Sequence, residues 1–386
     1  MSAPDRDPAR VREAHAIRDA AAASPTWTAL RARPDWPAWA ARLDALLALM
    51  RHHEGPASAA PADDRVRVAH WNLEHGNHYE AIADALTSHP DLAGADLVSL
   101  NEADLGMARS GNRDVVGELA ARLGRHAVWA PLFLESTRGR DDDALNAIAD
   151  DNAESLFGLG LLSRWPLESV RLVPLPGPEE VLFDRERMLG RFVALVARVA
   201  HPRTPFTAVT VHLEVHRTRA HRAAQMRAVL AALANEHGPV VITGDWNTHT
   251  FDRGTPNAVP AAAVALLAWP EGALARRFRR ADRGTHREAL FDALAAAGFA
   301  WEACNDFEPS LGMRFSRLGE VHALPAPLRA LASHGLAWAE RRARLRLDWI
   351  AERGFAHAGE ALTVAGLDGP GRASDHAPIV ATLRLP

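Results

Sequence analysis

The segment PVVITGDWNT (residues 239–248) constrains the fold more than any other stretch of the chain. Its apolar, β-branched run has the length of a buried strand and leads into a glycine, an acid, an aromatic residue and an amide. Asp245 and Asn247 follow at the carboxyl end, two positions apart. In strand geometry that spacing aims both side chains into one cleft. An aspartate offers a hard anionic oxygen, for a divalent cation or for orienting a water. An asparagine offers an amide donor that does not titrate. Gly, Asp and Asn are also the ordinary residues of turns, and taken alone the segment reads as a turn. The rest of the chain has to decide.

With 386 residues, 48% of them hydrophobic, the chain suffices for one large domain with an extension, or for two domains. Its net charge of −4 supplies no overall cationic field for holding long nucleic acid non-specifically. All 44 Lys/Arg positions are arginine, a compositional bias to which no function is attached. The single cysteine, Cys304, excludes an internal disulfide and suits a reducing compartment. No apolar run approaches the length of a membrane span, and the charged N-terminus lacks the apolar core of a signal peptide. The expectation is a soluble cytoplasmic protein.

Residues 1–51 read as helical: 8–23 is rich in Ala and Arg, and Trp36, Trp39, Leu43, Leu46, Leu47 and Met50 recur at helical spacing. The Gly, Pro and small residues of 54–64 read as a linker, which divides the chain into an N-terminal helical extension (1–62) and a main domain (63–386). Strands and helices then alternate. Strands are expected at 66–72, 96–101, 126–134, 158–164, 191–200, 206–214, 240–243 (with Gly244 letting the backbone leave the sheet sharply), 345–350 and 378–385, and helices at 79–86, 113–123 (capped by Asn112), 218–237 and 287–297. Residues 136–155 read as a polar acidic loop and 248–285 as irregular. Hairpin signals mixed with crossover helices indicate α/β architecture with mixed sheets.

Polar residues stand at several strand ends with little structural purpose there. Asn72 and Glu102 close the first two strands, and His212 lies in an apolar, Thr-containing strand. Asp245 and Asn247 end the central strand, Asp348 interrupts 345–350, and Ser374, Asp375 and His376 precede the last strand. Each alone has an ordinary structural explanation as cap, satisfied core residue or turn. Buried carboxylates are unfavourable unless paired or bound to a cation, so one shared cleft explains the set more economically than separate coincidences.

The order WNL, NE, GLGLLSR, VHL, GDWN, LDW, SDH resembles the endonuclease/exonuclease/phosphatase superfamily, whose deoxyribonuclease-, sphingomyelinase- and inositol-phosphatase-like members are metal-dependent hydrolases. The resemblance covers roughly 65–386, and GMARSGNR (106–113) is similar to a bacterial branch of unassigned substrate. It implies a four-layer α/β sandwich: two mixed β-sheets face to face, flanked by helices, with the site at one end. It implies Glu102 as the main Mg²⁺ or Mn²⁺ ligand, with Asn72 beside it and Asp375 in support. It further implies that Asp245 orients or deprotonates the attacking water, that Asn247 holds a phosphate oxygen and that His212 donates to a non-bridging oxygen. Asp348 would pair with His376, fixing its tautomer and favouring its charged form.

The residue types suit that chemistry independently. In-line hydrolysis of a phosphoester needs a positioned water, a Lewis acid and donors for spreading negative charge. Oxygen ligands suit Mg²⁺, and no thiolate or histidine cluster points to zinc. Trp246 and Trp349 stand where family members often carry Phe and Tyr. His75 reads as a loop histidine or a phosphate contact, Arg164 and Arg191 as ion-pair or substrate residues, and Glu135 has no assigned role. Arg276, Arg277, Arg279, Arg280 and Arg283 form one basic cluster, and Arg341, Arg342, Arg344 and Arg346 another, the latter read as a solvated helix face. The expected function is phosphodiester or phosphomonoester hydrolysis. Alternatives are a DNA or RNA nuclease, if the first cluster flanks the cleft, and a non-catalytic phosphate-ligand-binding protein. Nucleic acid stays open as a partner, a membrane is not expected, and oligomeric state is undetermined.

Overall fold

The computed structural model describes residues 7–56, 63–139, 147–177, 179–314, 335–369 and 371–386. Two mixed β-sheets lie face to face. Strands β1 (Arg51–His53), β2 (Arg65–Asn72), β3 (Leu97–Leu105), β4 (His126–Glu135) and β5 (Leu156–Ser163) belong to the larger sheet. The chain then crosses to the smaller sheet with β6 (Leu167–Pro174) and returns briefly as β7 (Met188–Gly190) beside β4. It continues the smaller sheet with β8 (Val193–Val199), β9 (Phe206–His212) and β10 (Val240–Asp245). A short ribbon of β11 (Leu311–Gly312) and β12 (Arg344–Leu345) precedes β13 (Asp348–Arg353) of the smaller sheet, and β14 (His357–Thr363) and β15 (Ile379–Arg384) complete the larger. The strand orders are β1-β4-β5-β3-β2-β15-β14 and β13-β10-β9-β8-β6.

Each sheet contains one parallel pair, β2–β3 in the larger and β9–β10 in the smaller, and the other pairings are antiparallel. A parallel pair needs a crossover. Helix α4 (Tyr79–Ser88) supplies the first and α6 (Arg219–Ala232), capped by the Thr218 hydroxyl, the second. Between the sheets, Val66, Val68, Leu161, Leu195, Val209, Ile242 and Ile350 form part of one apolar cluster. The alternate residues of the larger sheet, including Ala69, Trp71, Val98, Leu100 and Trp129, face outward into a second cluster. Helix α5 (Val115–Leu123) covers that face; its cap is Asp114, which accepts from Gly117 N at 2.9 Å, rather than Asn112.

The first three helices, α1 (Pro8–Ala22), α2 (Trp27–Arg31) and α3 (Trp36–Leu47), lie on the same outer face. Ile17, Leu30, Leu43, Leu46 and Leu47 are buried in its cluster, while Trp27, Trp36 and Trp39 are only partly buried at its rim. Residues 51–53, counted with the extension on sequence grounds, pair with β4 as an edge strand. The linker read at 54–64 falls largely on 57–62, outside the described residues, and so does much of the acidic loop, at 140–146. The stretch 248–285, read as irregular, contains two helices, α7 (Ala258–Ala268) and α8 (Glu271–Arg279). Helix α7 is apolar all round, so the 3.6-residue alternation that betrays an amphipathic helix is absent.

Gly244 has a different use from the sharp exit its place suggests. It is still within β10, opposite Val211 of β9, and a Cβ there would come within 2.0 Å of the Val211 carbonyl oxygen. Close approach of two parallel strands excludes a side chain.

Two outcomes follow from this packing. Removing residues 1–62 uncovers several large aliphatic side chains, each contributing about 1.5–3 kcal/mol on burial. A chain starting at Asp63 should melt roughly 10 °C or more below the full chain; an unchanged melting temperature would show that the helices add nothing to the sheet they cover. Gly244→Ala should destabilise by about 1–3 kcal/mol through overpacking, read as a shifted denaturant midpoint at unchanged slope. A wild-type midpoint would contradict the close-approach argument.

Candidate active site

Six strands meet at one edge of the sandwich. The parallel pairs deliver their carboxyl ends, bearing Asn72 and Glu102 from one sheet and His212 and Asp245 from the other. Their antiparallel neighbours deliver their beginnings: Asp348 starts β13 directly opposite Asp245, and the turn holding Ser374, Asp375 and His376 precedes β15.

Glu102 does not close its strand. The register of β3 against β5 slips between Leu100 and Ala103, and Glu102 adopts φ 52°. A bulge of this kind re-aims a side chain out of the strand's alternation. Glu102 Oε1 accepts from Asn72 Nδ2 at 3.0 Å, and the same nitrogen donates to Asp245 Oδ2 at 3.2 Å, so one amide bridges the two sheets. His212 Nε2 lies 3.8 Å from Glu102 Oε1 and 3.7 Å from Asp245 Oδ2. Burial is the main cause lowering the His212 pKa, with Asp245 acting against it.

Asp348 is fully enclosed. Its Oδ2 takes the His376 Nδ1 hydrogen bond at 2.7 Å, and His376 Nε2 points back to within 3.8 Å of Asp245 Oδ2. Burial alone would raise the Asp348 pKa, but His376 and then His70 hold it well below the usual carboxylate range. Burial alone would lower His376; Asp348, followed by Asp375, holds it well above the ordinary imidazole value. The turn is pinned as firmly as the ring. Ser374 Oγ donates to Asn72 O at 2.7 Å and accepts from His376 N at 3.1 Å, and Trp71 Nε1 donates to His376 O at 2.9 Å.

Asn247 comes to the site by another route than strand alternation. Strand β10 ends at Asp245, and Asn247 turns to φ 50°. Its backbone N donates to Asp245 Oδ1 at 2.8 Å, and its Nδ2 donates to Leu213 O at 2.7 Å. Thus the turn reading and the cleft reading both apply: the residue is a turn residue held against the aspartate.

Other singled-out residues have structural partners. Arg164 pairs with Asp96 at 3.0 Å and Arg191 with Asp44 at 3.0 Å. Glu135 and Asp104 together enclose the Arg109 guanidinium of the 106–113 segment. In the first basic cluster Arg279 pairs with Glu308, Arg280 with Asp282, and Arg283 with Asp282 and Glu302. Arg346, read as part of a solvated helix face, is buried and bonded to Asn305, Asp306 and Thr363. Two histidines exceed what their sequence positions indicated. His75 is no exposed loop residue: its ring lies against Phe157, with Nδ1 3.6 Å from Glu102 Oε2. His70 Nε2 donates to Asp348 Oδ1 at 3.0 Å across the sheet interface. An inward histidine between Val68 and Asn72 was the available signal.

The donor set is one of hard oxygens. Burial, then the charge of Asp375, pushes the Glu102 carboxyl up to about 8, with Asp245 adding to the effect. Such crowding of carboxylates is what a divalent cation relieves. Among the described residues, Asp245, Asp348 and His376 form the one group whose ligating atoms all lie within 4.8 Å of one another. Their closest contact is the 2.7 Å Asp348–His376 hydrogen bond, so those two atoms already satisfy each other. On the Glu102 side, ionisation of the carboxyl is held back by burial and by Asp375, and a cation could relieve both.

The family model described as endonuclease/exonuclease/phosphatase family matches residues 69–376. Among solved structures, endonuclease/exonuclease/phosphatase from Beutenbergia cavernae is similar with a TM-score of 0.51 at 17% identity, covering 83% of this chain and 72% of that one. The human nocturnin catalytic domain with bound sulfate gives 0.46 at 16%, covering 84% and 94%. The 3′ phosphatase NExo from Neisseria, bound to a product DNA hairpin, gives 0.47 at 16%, covering 82% and 98%. The first likeness is one of fold. No curated protein matches the chain. The family match spans every residue placed in the cleft, from Asn72 to His376, and the chain belongs to the endonuclease/exonuclease/phosphatase family.

Proposed function

We propose that the chain is a divalent-metal-dependent phosphoester hydrolase. One observation carries the reading: Glu102, Asp245 and Asp375 share a cleft with an imidazole that Asp348 holds in its charged form. Family membership supports the same class of reaction. Asn72, Glu102 and Asp375 would hold Mg²⁺ or Mn²⁺, which would supply a Lewis acid to a phosphoryl oxygen. Asp245, fixed by its contacts to Asn72 and the Asn247 backbone, orients the attacking water and receives its proton. His376 donates from Nε2 to the phosphoryl group as negative charge shifts onto its oxygens. His212 and the remaining amide hydrogen of Asn247 donate to non-bridging oxygens.

A cytoplasmic site of action fits the buried free Cys304. Among the described residues no helix is long and apolar enough to cross a membrane. The nuclease alternative depends on the 276–283 arginine cluster flanking the cleft; three of its members, Arg279, Arg280 and Arg283, are engaged with carboxylates.

The test is a hydrolysis panel of bis-p-nitrophenyl phosphate, p-nitrophenyl phosphate, plasmid DNA, RNA and phospholipid vesicles. Hydrolysis of at least one ester should require Mg²⁺ or Mn²⁺ and vanish in EDTA. Glu102→Gln should lose about 10²-fold or more in turnover. Activity that survives EDTA, or full activity of Glu102→Gln, would contradict the metal role. Linkage gives a second readout. The metal-free fold keeps the Glu102 proton up to about 8, whereas the unfolded chain loses it near ~4.3. Between those values the metal-free protein loses stability as pH rises. The rise in melting temperature on adding Mg²⁺ should therefore grow from pH 5 to pH 8, and Glu102→Gln should abolish that growth. A pH-independent Mg²⁺ shift would contradict ligation by Glu102.

A further inference from the structure

Asp348 meets two imidazoles, and the proposed reaction accounts for only one. His376 Nδ1 is 2.7 Å from Oδ2, and His70 Nε2 is 3.0 Å from Oδ1. His70 lies on the interlayer side of β2 and is wholly buried. Its Nδ1 is 3.0 Å from Ser99 Oγ on β3, and Ser99 Oγ is 2.8 Å from Thr210 Oγ1 on β9. Asn101 Nδ2 donates to that threonine oxygen at 3.2 Å, while Asn101 Oδ1 accepts from Asp245 N at 2.8 Å. A continuous row of hydrogen bonds thus runs through the interior of the sandwich from the Asp245 strand end to the Asp348–His376 pair. All of its members are buried.

The carboxylate of Asp348 is an acceptor only, so both imidazoles donate to it. His70 therefore carries a proton on Nε2, directed at Oδ1. Behind it, Ser99 Oγ donates to Thr210 Oγ1, and the same threonine oxygen accepts from Asn101 Nδ2. In a low-dielectric interior such linked bonds strengthen one another, and they hold the His70 ring in place from the side away from Asp348.

We propose that His70 is a positioning residue for the hydrolysis assigned above, an inference that rests on that reading. By holding Oδ1, it stops the Asp348 carboxylate from rotating and keeps Oδ2 on His376 Nδ1. His376 Nε2 thereby stays turned toward the cleft. Without His70 the carboxylate is held from one side only, and the donor loses its fixed direction. Small displacements of a reacting group are enough to slow turnover by roughly 10- to 100-fold.

The test compares His70→Gln, whose amide offers a donor to Asp348, with His70→Phe, which fills the space and offers none. Turnover and KM are measured on bis-p-nitrophenyl phosphate with Mg²⁺. In parallel, the low-field proton resonance of His376 Nδ1–H is followed in metal-free protein, assigned by its loss in His376→Ala. His70→Phe should lower kcat by about 10-fold or more with KM nearly unchanged, and should shift or broaden the resonance. His70→Gln should retain most of both. His70→Asn, too short to span the two partners, replaces the phenylalanine variant if that one fails to melt cooperatively. Wild-type kcat and an unmoved resonance in His70→Phe would overturn the proposal, as would equal losses in Phe and Gln variants, which mark a role in packing alone. If the wild type hydrolyses no ester, the functional reading fails by itself, and the resonance still reports whether His70 orients the pair.

Discussion

The burial of several carboxylates at one edge of the sandwich is the constraint on which the rest of the structure turns. Burial, then Asp375 and more weakly Asp245, push the Glu102 carboxyl up to about 8. A fold keeps such an arrangement only if each charge has compensation. Among the described residues, Asp348 has two imidazoles, Asp245 has the Asn72 amide and the Asn247 backbone N–H, and Glu102 has the shared Asn72 amide at close range, with His75 and His212 farther off. The incomplete compensation falls on the side of the cleft where the proposed cation would bind.

The architecture explains why the charges meet. A parallel pair in each sheet sends two carboxyl ends to the same edge, and the antiparallel strands beside them begin there. Ligand sites at the carboxyl ends of parallel strands are a general property of α/β sheets, and here two sheets contribute at once. The apolar interlayer gives way to His70, Ser99, Asn101 and Thr210 as it approaches the cleft. Among the described residues those buried side chains bond to one another and to the site residues, with one further donation from Asn101 to Leu100 O, so the interior specifies the orientation of the cleft. On the far side of the larger sheet, α1, α2 and α3 complete an apolar layer that also contains Trp71, whose indole holds the His376 carbonyl. Packing on one face thereby reaches the Ser374–His376 turn at the cleft.

Much of this was legible in the sequence because the informative residues lie at strand ends, where a polar residue after an apolar run is conspicuous. Asp245, Asp348 and the 374–376 turn were visible for that reason. His70 was not, because period-2 alternation reveals that a side chain is inward without revealing whether it meets methyl groups or a carboxylate. Glu102 was visible as an acid but not as a bulge, since nothing local announces the slipped register opposite β5. Gly244 was read through its neighbours as a turn residue, and only the Val211 carbonyl of another strand explains it. Helices α7 and α8 were hidden by Pro260 and Pro270, by an all-apolar surface in the first and by an arginine run in the second. The three-residue β1 has too little length to carry a pattern, and its pairing with β4 is purely tertiary.

The central claim is that Asp348 and His376 act as one unit on the phosphoryl group, and a double-mutant cycle tests it most directly. Turnover on the best ester from the panel is measured for Asp348→Asn, His376→Ala and the double mutant, each first confirmed to melt cooperatively. Each single change should cost about 10²-fold or more, and the double mutant should be hardly worse than the poorer single, because residues acting together are not additive. Losses that multiply, or a His376→Ala enzyme close to wild type, would contradict the account.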